Sequence, residues 1–152
     1  MELFRLLEPR RCLKMKVKKL HPLARLPVRA NPAAAGLDVF AAMADSVMSI
    51  PAKTSAIVPL GISWELNDES YFVDIRPRSG LASKGISAHL GTIDFDYRKE
   101  VGVIIHNLSN ETLSIKCGDK IAQLVIQKRI PVDIEWGEIE ETERGGFGST
   151  GS

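Results

Sequence analysis

Turn-forming residues recur about every ten positions along this chain, and that rhythm limits the fold more than any other feature. The breaks fall at Asn31-Pro32, Pro51, Pro59 to Gly61, Asn67-Asp68, Ser79-Gly80, Ser109-Asn110 and Gly118-Asp119. Between them lie short runs rich in Val, Ile, Tyr and Phe, at residues 16–20, 36–41, 46–50, 55–58, 62–66, 71–76, 86–90, 101–107, 112–116 and 121–127. The only helix expected is one or two turns around residues 79–84. Residues 112–116 alternate, with Leu113 and Ile115 pointing inward. Residues 101–105 carry no polar side chain, which predicts a strand covered on both faces. About ten short strands at this spacing predict an all-β sandwich, jelly roll or barrel. So many strands in one domain leave edges that association with other copies would protect.

The length of 152 residues suits one domain. Lys and Arg number 20 against 19 Asp and Glu, a net charge of +1. That balance argues against a nucleic-acid partner, whose capture needs a basic surface, but leaves room for a small phosphate ligand. No apolar run is long enough to span a membrane. The N-terminus is basic, and its apolar runs, Leu3-Phe4 and Leu6-Leu7, are too short for a signal-peptide core. Residues 1–15 are expected to be a loose, disordered extension, residues 16–140 the β domain, and residues 141–152 a flexible lid. That last stretch holds Gly145, Gly146, Gly148 and Gly151. Cys12 and Cys117 form no disulfide framework and read as free thiols, which predicts a cytoplasmic protein, or host cytoplasm if it is viral. His21, His89 and His106 are scattered and read as packing or surface residues rather than metal ligands.

The standard nucleotide motifs are missing: there is no Walker loop, and Gly145 to Gly148 has no strand, lysine or helix after it. Five other stretches interrupt apolar runs with polar residues. They are A-G-L-D at 35–38, R-P-R-S-G-L-A at 76–82, G-T-I-D-F-D-Y-R at 91–98, G-D-K-I-A-Q-L at 118–124 and R-G-G-F-G-S-T-G at 144–151. Singly, each reads as an ordinary turn or cap. Together they make an inventory for phosphate chemistry. Arg78 is a permanent cation, and Ser79 adds a hydroxyl donor beside the freely approached backbone of Gly80. Asp94 and Asp38 are carboxylates suited to a general base and to holding metal-bound water. Gln123 orients a water without ionising. Tyr97 and Phe147 offer flat faces for a base or sugar. Ser149 and Thr150, between Gly148 and Gly151, offer hydroxyls and backbone N–H groups to a terminal phosphate.

In order and wording these five stretches resemble the motifs of the trimeric dUTPases, over residues 16–152. The resemblance implies a jelly-roll, β-clip-like barrel that forms homotrimers with shared sites. It implies hydrolysis of dUTP to dUMP and pyrophosphate with Mg²⁺, which keeps uracil out of DNA and supplies dUMP for thymidylate synthesis. Asp94 would be the base that activates water for attack on the α-phosphorus. Asp38 would hold Mg²⁺ through water, with no direct protein ligand to the ion. A β-hairpin over residues 85–97, including Ala88, Gly91 and Ile93, would read the uracil edge through its backbone. Tyr97 would lie against the deoxyribose and exclude a 2′-hydroxyl. Arg78, Ser79, Gly80 and Gln123 would contact the phosphates. Phe147 and Gly148 would close over the base, while Arg144, Ser149 and Thr150 grip the β- and γ-phosphates.

The chain departs from the family pattern at three places. Lys99 follows D-Y-R where Gly is usual, Thr92 stands where Val or Leu is commoner, and the last motif is two residues shorter after Arg144. Three other readings compete. The related dCTP deaminases lack the hairpin motif and the final G-F-G-S-T-G. A regulatory nucleotide sensor would have no need of an intact Asp94 and Tyr97. A structural jelly-roll module leaves the glycine-rich tail without a role.

Overall fold

The computed structural model describes residues 12–142. Eleven strands and one short helix follow each other: β1 Met15–Lys19, β2 Leu37–Phe40, β3 Val47–Ile50, β4 Ser55–Pro59, β5 Ile62–Leu66, β6 Tyr71–Arg76, α1 Ser79–Ala82, β7 Ile86–Ala88, β8 Gly91–Ile93, β9 Gly102–Asn107, β10 Leu113–Lys116 and β11 Lys120–Lys128. This is the all-β class expected from the turn spacing, in the jelly-roll form that the family resemblance implies. All ten expected strands are present, and the short helix starts at Ser79. β8 is not among the runs that the turn spacing marks, because three residues carry too little periodicity to register, and it falls inside the segment where the family resemblance implies a hairpin.

The strands form four antiparallel sheets, β1-β5, β10-β3, β2-β11-β6-β8 and β4-β9-β7. β11 is the organising strand: Gln123 faces Asp38 on one side and Arg76 on the other. A register shift between Lys120 and Ala122 bends its start against Phe40. The core gathers inward-facing residues of all four sheets, among them Val39, Ile50, Val58, Leu60, Val73, Val103, Ile105 and Leu124, each almost fully buried. Apolar burial of this kind is the main favourable term in folding.

Three expectations need correction. β7 pairs with β9 and β8 pairs with β6, so residues 85–97 do not fold as a hairpin of paired strands. The two short segments part at Leu90 and serve different sheets. β9 is not covered on both faces either: Val103 and Ile105 are buried, but Ile104 is 38% exposed beside its register partner Ile57, at 65%. Finally, β1 starts at Met15, one residue before the expected run at 16–20, and Lys14 exchanges hydrogen bonds with Asn67.

A buried polar knot fixes the end of β9. Asn107 is fully buried, and its amide donates to the carbonyls of Ile50 (2.9 Å) and Glu111 (2.7 Å). Its oxygen accepts from the N–H and the hydroxyl of Ser109. All four hydrogen-bonding capacities of the amide are therefore used. Beyond Lys128 the chain leaves the sheets. Ile130, Val132, Ile134, Trp136 and Ile139 along it are all at least 70% exposed. The expected boundary at residue 140 falls inside this exposed segment.

Candidate active site

The first functional cluster forms where β2, β11 and the β6–α1 turn meet. Asp38 sits on β2, and its carboxylate pairs with the Arg78 guanidinium (Nε to Oδ1, 3.2 Å) and the Lys120 ammonium (Nζ to Oδ2, 2.9 Å). Its side chain is 12% exposed, while those of Arg78 and Lys120 are 33% and 42% exposed. The carboxylate is thus the inner member and the cations the outer ones. Arg78 also donates to the Lys120 carbonyl at 3.1 Å, which locks the two basic residues together. Two cations on one carboxylate leave a net positive charge at the surface, a local anion attractor that needs no basic surface elsewhere.

Gln123 faces the same cluster. Its amide donates to the Pro77 carbonyl at 3.0 Å, directly before Arg78. The side chain has room only because residue 36 is glycine; a β-carbon there would overlap Gln123 Oε1. Ser79 opens α1, where the Leu81 and Ala82 N–H groups already donate to the Arg78 carbonyl (3.1 and 2.9 Å). A β-carbon on Gly80 would meet no heavy atom within 4 Å, so the backbone at this turn is open to a ligand. Lys120 is the member of this cluster that sequence reasoning passed over. The signal was there, as the basic position of G-D-K-I-A-Q-L, but a lysine next to a turn reads as solvated.

The second cluster surrounds residues 91–102. Gly91, Ile93, Asp94, Tyr97, Lys99 and Gly102 line a cavity of about 670 Å³. Asp94 also borders a neighbouring cavity of about 690 Å³, with Tyr71, Phe95 and Arg129. Asp94 is exposed at the mouth of both. The Tyr97 hydroxyl donates to the Glu100 carbonyl at 3.0 Å, and the Glu100 carboxylate accepts from Gly61 N–H at 3.1 Å. Tyr97 N–H reaches the Asp94 carbonyl at 3.2 Å. The Arg98 guanidinium donates to the Phe95 and Tyr97 carbonyls. These bonds hold the loop in one shape before any ligand arrives. Ala88 stands apart, with its side chain in the core and its strand paired to β9.

Two of the sequence departures find their place here. Lys53 is the one non-glycine residue with positive φ among those described, so Lys99 sits in ordinary backbone and its side chain costs no strain. The Thr92 hydroxyl donates to Asp74 Oδ1 at 3.2 Å, and Asp74 in turn pairs with Arg76 at 2.8 Å. A valine or leucine at 92 could not make that bond. The third departure lies outside the described residues, with Arg144, Phe147, Gly148, Ser149 and Thr150.

One chain does not bring the two clusters together. Asp38 lies on β2 and Asp94 follows β8, the two outer strands of one four-stranded sheet. The register chain Asp38–Gln123–Arg76 and the pair Val73–Ile93 put them on different rows as well. Three strand spacings across and four residues along give a separation of roughly 20 Å. That is too far for both to act on one phosphorus atom.

A jelly-roll β domain with a cationic cradle around one carboxylate, and a nucleoside-sized cavity under another, defines a nucleotide hydrolase of the all-β kind. A dUTPase family model matches residues 23–151. The deoxyuridine 5'-triphosphate nucleotidohydrolase of Hydrogenobaculum sp. is 46% identical over 145 residues, covering 91% of this chain and 99% of that protein. The enzyme of the same name from Arabidopsis thaliana is 45% identical over 140 residues, covering 90% of this chain and 82% of that protein. Among solved structures, a mutant dUTPase of Staphylococcus bacteriophage 80alpha, determined with dUpNHpp, superposes with a TM-score of 0.78 at 27% identity, covering 91% of this chain and 99% of that one. The dUTPase of phage phi11 of S. aureus, which coordinates a structural Mg(II) ion, gives 0.71 at 25% identity, covering 86% and 99%. The chain belongs to the dUTPase family.

Proposed function

We propose that this protein hydrolyses dUTP to dUMP and pyrophosphate in an assembly of three identical chains, with each site shared between copies. The observation that carries the reading is Asp94, an exposed carboxylate at the rim of a nucleoside-sized cavity walled by Tyr97. In the reaction, a water attacks the α-phosphorus in line with the leaving oxygen. Asp94 takes the proton from that water, and the bond from the α-phosphorus to the bridging oxygen breaks. Tyr97 packs on the deoxyribose, where a 2′-hydroxyl would collide. Backbone groups of residues 91–93 read the uracil edge, a discrimination that steric fit and donor–acceptor matching supply. Arg78, Ser79 and Lys120 hold phosphate oxygens, and Gln123 orients the phosphate or the water. Arg144, Phe147, Gly148, Ser149 and Thr150 close over the bound nucleotide.

Magnesium fits the donor chemistry of the first cluster. Asp38 is a hard oxygen donor, and both of its oxygens already carry a cation, which suits holding the ion's waters rather than the ion itself. Bound with the triphosphate, the ion would supply positive charge to offset that on the leaving pyrophosphate. Two features support association of copies. The roughly 20 Å between Asp38 and Asp94 leaves each cluster half a site. The exposed apolar residues at 130, 132, 134 and 136 alternate as a strand does and lack a sheet to join.

The test is pyrophosphate release from dUTP, dTTP, dCTP and UTP in the presence of Mg²⁺. dUTP should be consumed far faster than the other three. Comparable turnover of all four would overturn the assignment of the cavity.

A further inference from the structure

The sequence scatters His89 and His106, but the fold puts them side by side on the outer face of β4-β9-β7. Ser87 and His106 are register partners, and His89 follows β7 directly. His89 N–H donates to the Ile104 carbonyl at 2.8 Å, which fixes its backbone against β9. His106 Nε2 and His89 Nδ1 stand 3.4 Å apart, with the ring centroids at 5.6 Å and the planes at 71°. On the far side of the ring, His106 Nδ1 is 2.7 Å from the hydroxyl of Ser55, its register partner on β4.

We propose that His89 and His106 form a chelating site for a borderline divalent cation of the zinc class, separate from the magnesium chemistry of the nucleotide site. A nitrogen–nitrogen distance of 3.4 Å is long for a hydrogen bond. It equals the bite of two imidazoles on one tetrahedral ion, because two Zn–N bonds of about 2.05 Å at the tetrahedral angle span about 3.4 Å. Ser55 supplies the outer contact that metal-binding histidines need. In the tautomer whose Nδ1–H donates to the Ser55 oxygen, the lone pair of His106 sits on Nε2, the atom that faces His89. Imidazole nitrogen favours Zn²⁺, Ni²⁺ and Cu²⁺ over Mg²⁺, which demands oxygen. Among the described residues no group of three or more His, Cys, Asp or Glu gathers around an ion. The described residues therefore supply two ligands, and water or a donor from a second copy takes the rest. A bound ion would staple β7, an edge strand of three residues, to β9.

Calorimetric titration of the full-length protein with Zn²⁺, in excess Mg²⁺, tests the site. Wild-type protein should bind Zn²⁺ and melt at a higher temperature in its presence. His89→Ala and His106→Gln should each abolish both effects, and Ser55→Ala should weaken binding about tenfold. Cys12→Ser and Cys117→Ser should bind as wild type does. Co²⁺ substituted for Zn²⁺ should show visible absorption of a nitrogen-ligated ion, lost in His89→Ala. His89 is exposed, so that variant reports on binding without disturbing the core. Wild-type protein that does not bind Zn²⁺, or histidine variants that bind it unchanged, would overturn the proposal.

Discussion

Gln123 fills the space that a β-carbon at Gly36 would occupy, with its Cδ 3.0 Å and its Cβ 3.2 Å from that point. The glycine of A-G-L-D is thus required by the side chain of the fourth residue of the domain's organising strand, not by its own backbone. Gly36→Ala should push the Gln123 amide off the Pro77 carbonyl and out of the phosphate cluster. A displacement of that size costs about 10²-fold in kcat. Steady-state kinetics with an unchanged melting temperature would identify the effect as local; normal kcat would show that Gln123 has no part in turnover.

Asp94 has a different dependence. It is exposed and lies at the mouth of two cavities, so its replacement disturbs no packing. Asp94→Asn should bind nucleotide as the wild type does and lose about 10²- to 10⁴-fold in kcat. Binding of a non-hydrolysable dUTP analogue and single-turnover rates separate the two quantities. Near-normal turnover would mean that another group takes the proton from water.

Lys120 and Arg78 share Asp38, and they divide its charge between them. Lys120→Met should raise KM for dUTP and leave kcat less affected, because a cation held on phosphate oxygens contributes to ground-state binding. Arg78→Lys should be worse than its charge suggests. Arg78 contacts both the Asp38 carboxylate and the Lys120 carbonyl, and a single ammonium cannot reproduce that fork. A KM unchanged in Lys120→Met would remove lysine from the phosphate contacts.

The parts of the fold that were legible in the sequence are those set by local signals. Turn residues and β-branched runs marked ten strands, and Ser79 marked the helix. What failed was pairing. Nothing local tells residues 86–88 and 91–93 to join different sheets, because that choice is made by β9 and β6. The same limit hid the exposure of Ile104, whose run looked buried on both sides but has one face left uncovered among the described residues. At the site, Asp38, Arg78, Ser79, Gln123, Asp94 and Tyr97 were legible as types. Their division into two clusters was not, since distance across a sheet depends on strand order and not on spacing along the chain.

Asn107 is the polar group whose loss should cost most. It is fully buried and bonds to Ile50, Ser109 and Glu111. Asn107→Ala strands the buried carbonyl of Ile50, a loss of about 1–3 kcal/mol, while the Glu111 carbonyl keeps its bond from the Ser109 hydroxyl. Denaturant unfolding should show a lower midpoint with an unchanged slope. A loss under half a kilocalorie would mean that water replaces the amide.

The separation of the two clusters makes the sharpest prediction. If each site takes Asp94 from one chain and Arg78 with Asp38 from another, two inactive variants can repair each other. Asp94→Asn and Arg78→Ala should each be nearly inactive as pure proteins. Unfolded together and refolded as a mixture, they should form assemblies in which some sites receive an intact Asp94 from the Arg78→Ala chain and an intact Arg78 from the Asp94→Asn chain. Random association of equal amounts makes about a quarter of the sites wholly wild type, so about a quarter of wild-type activity should return. A site built within one chain gives a different result, since every chain in the mixture carries a damaged site and no activity returns. Removing residues 130–152 should dissociate the assembly on gel filtration if the exposed segment after Lys128 joins the copies, whereas removing only residues 145–152 should leave the assembly intact and cripple hydrolysis.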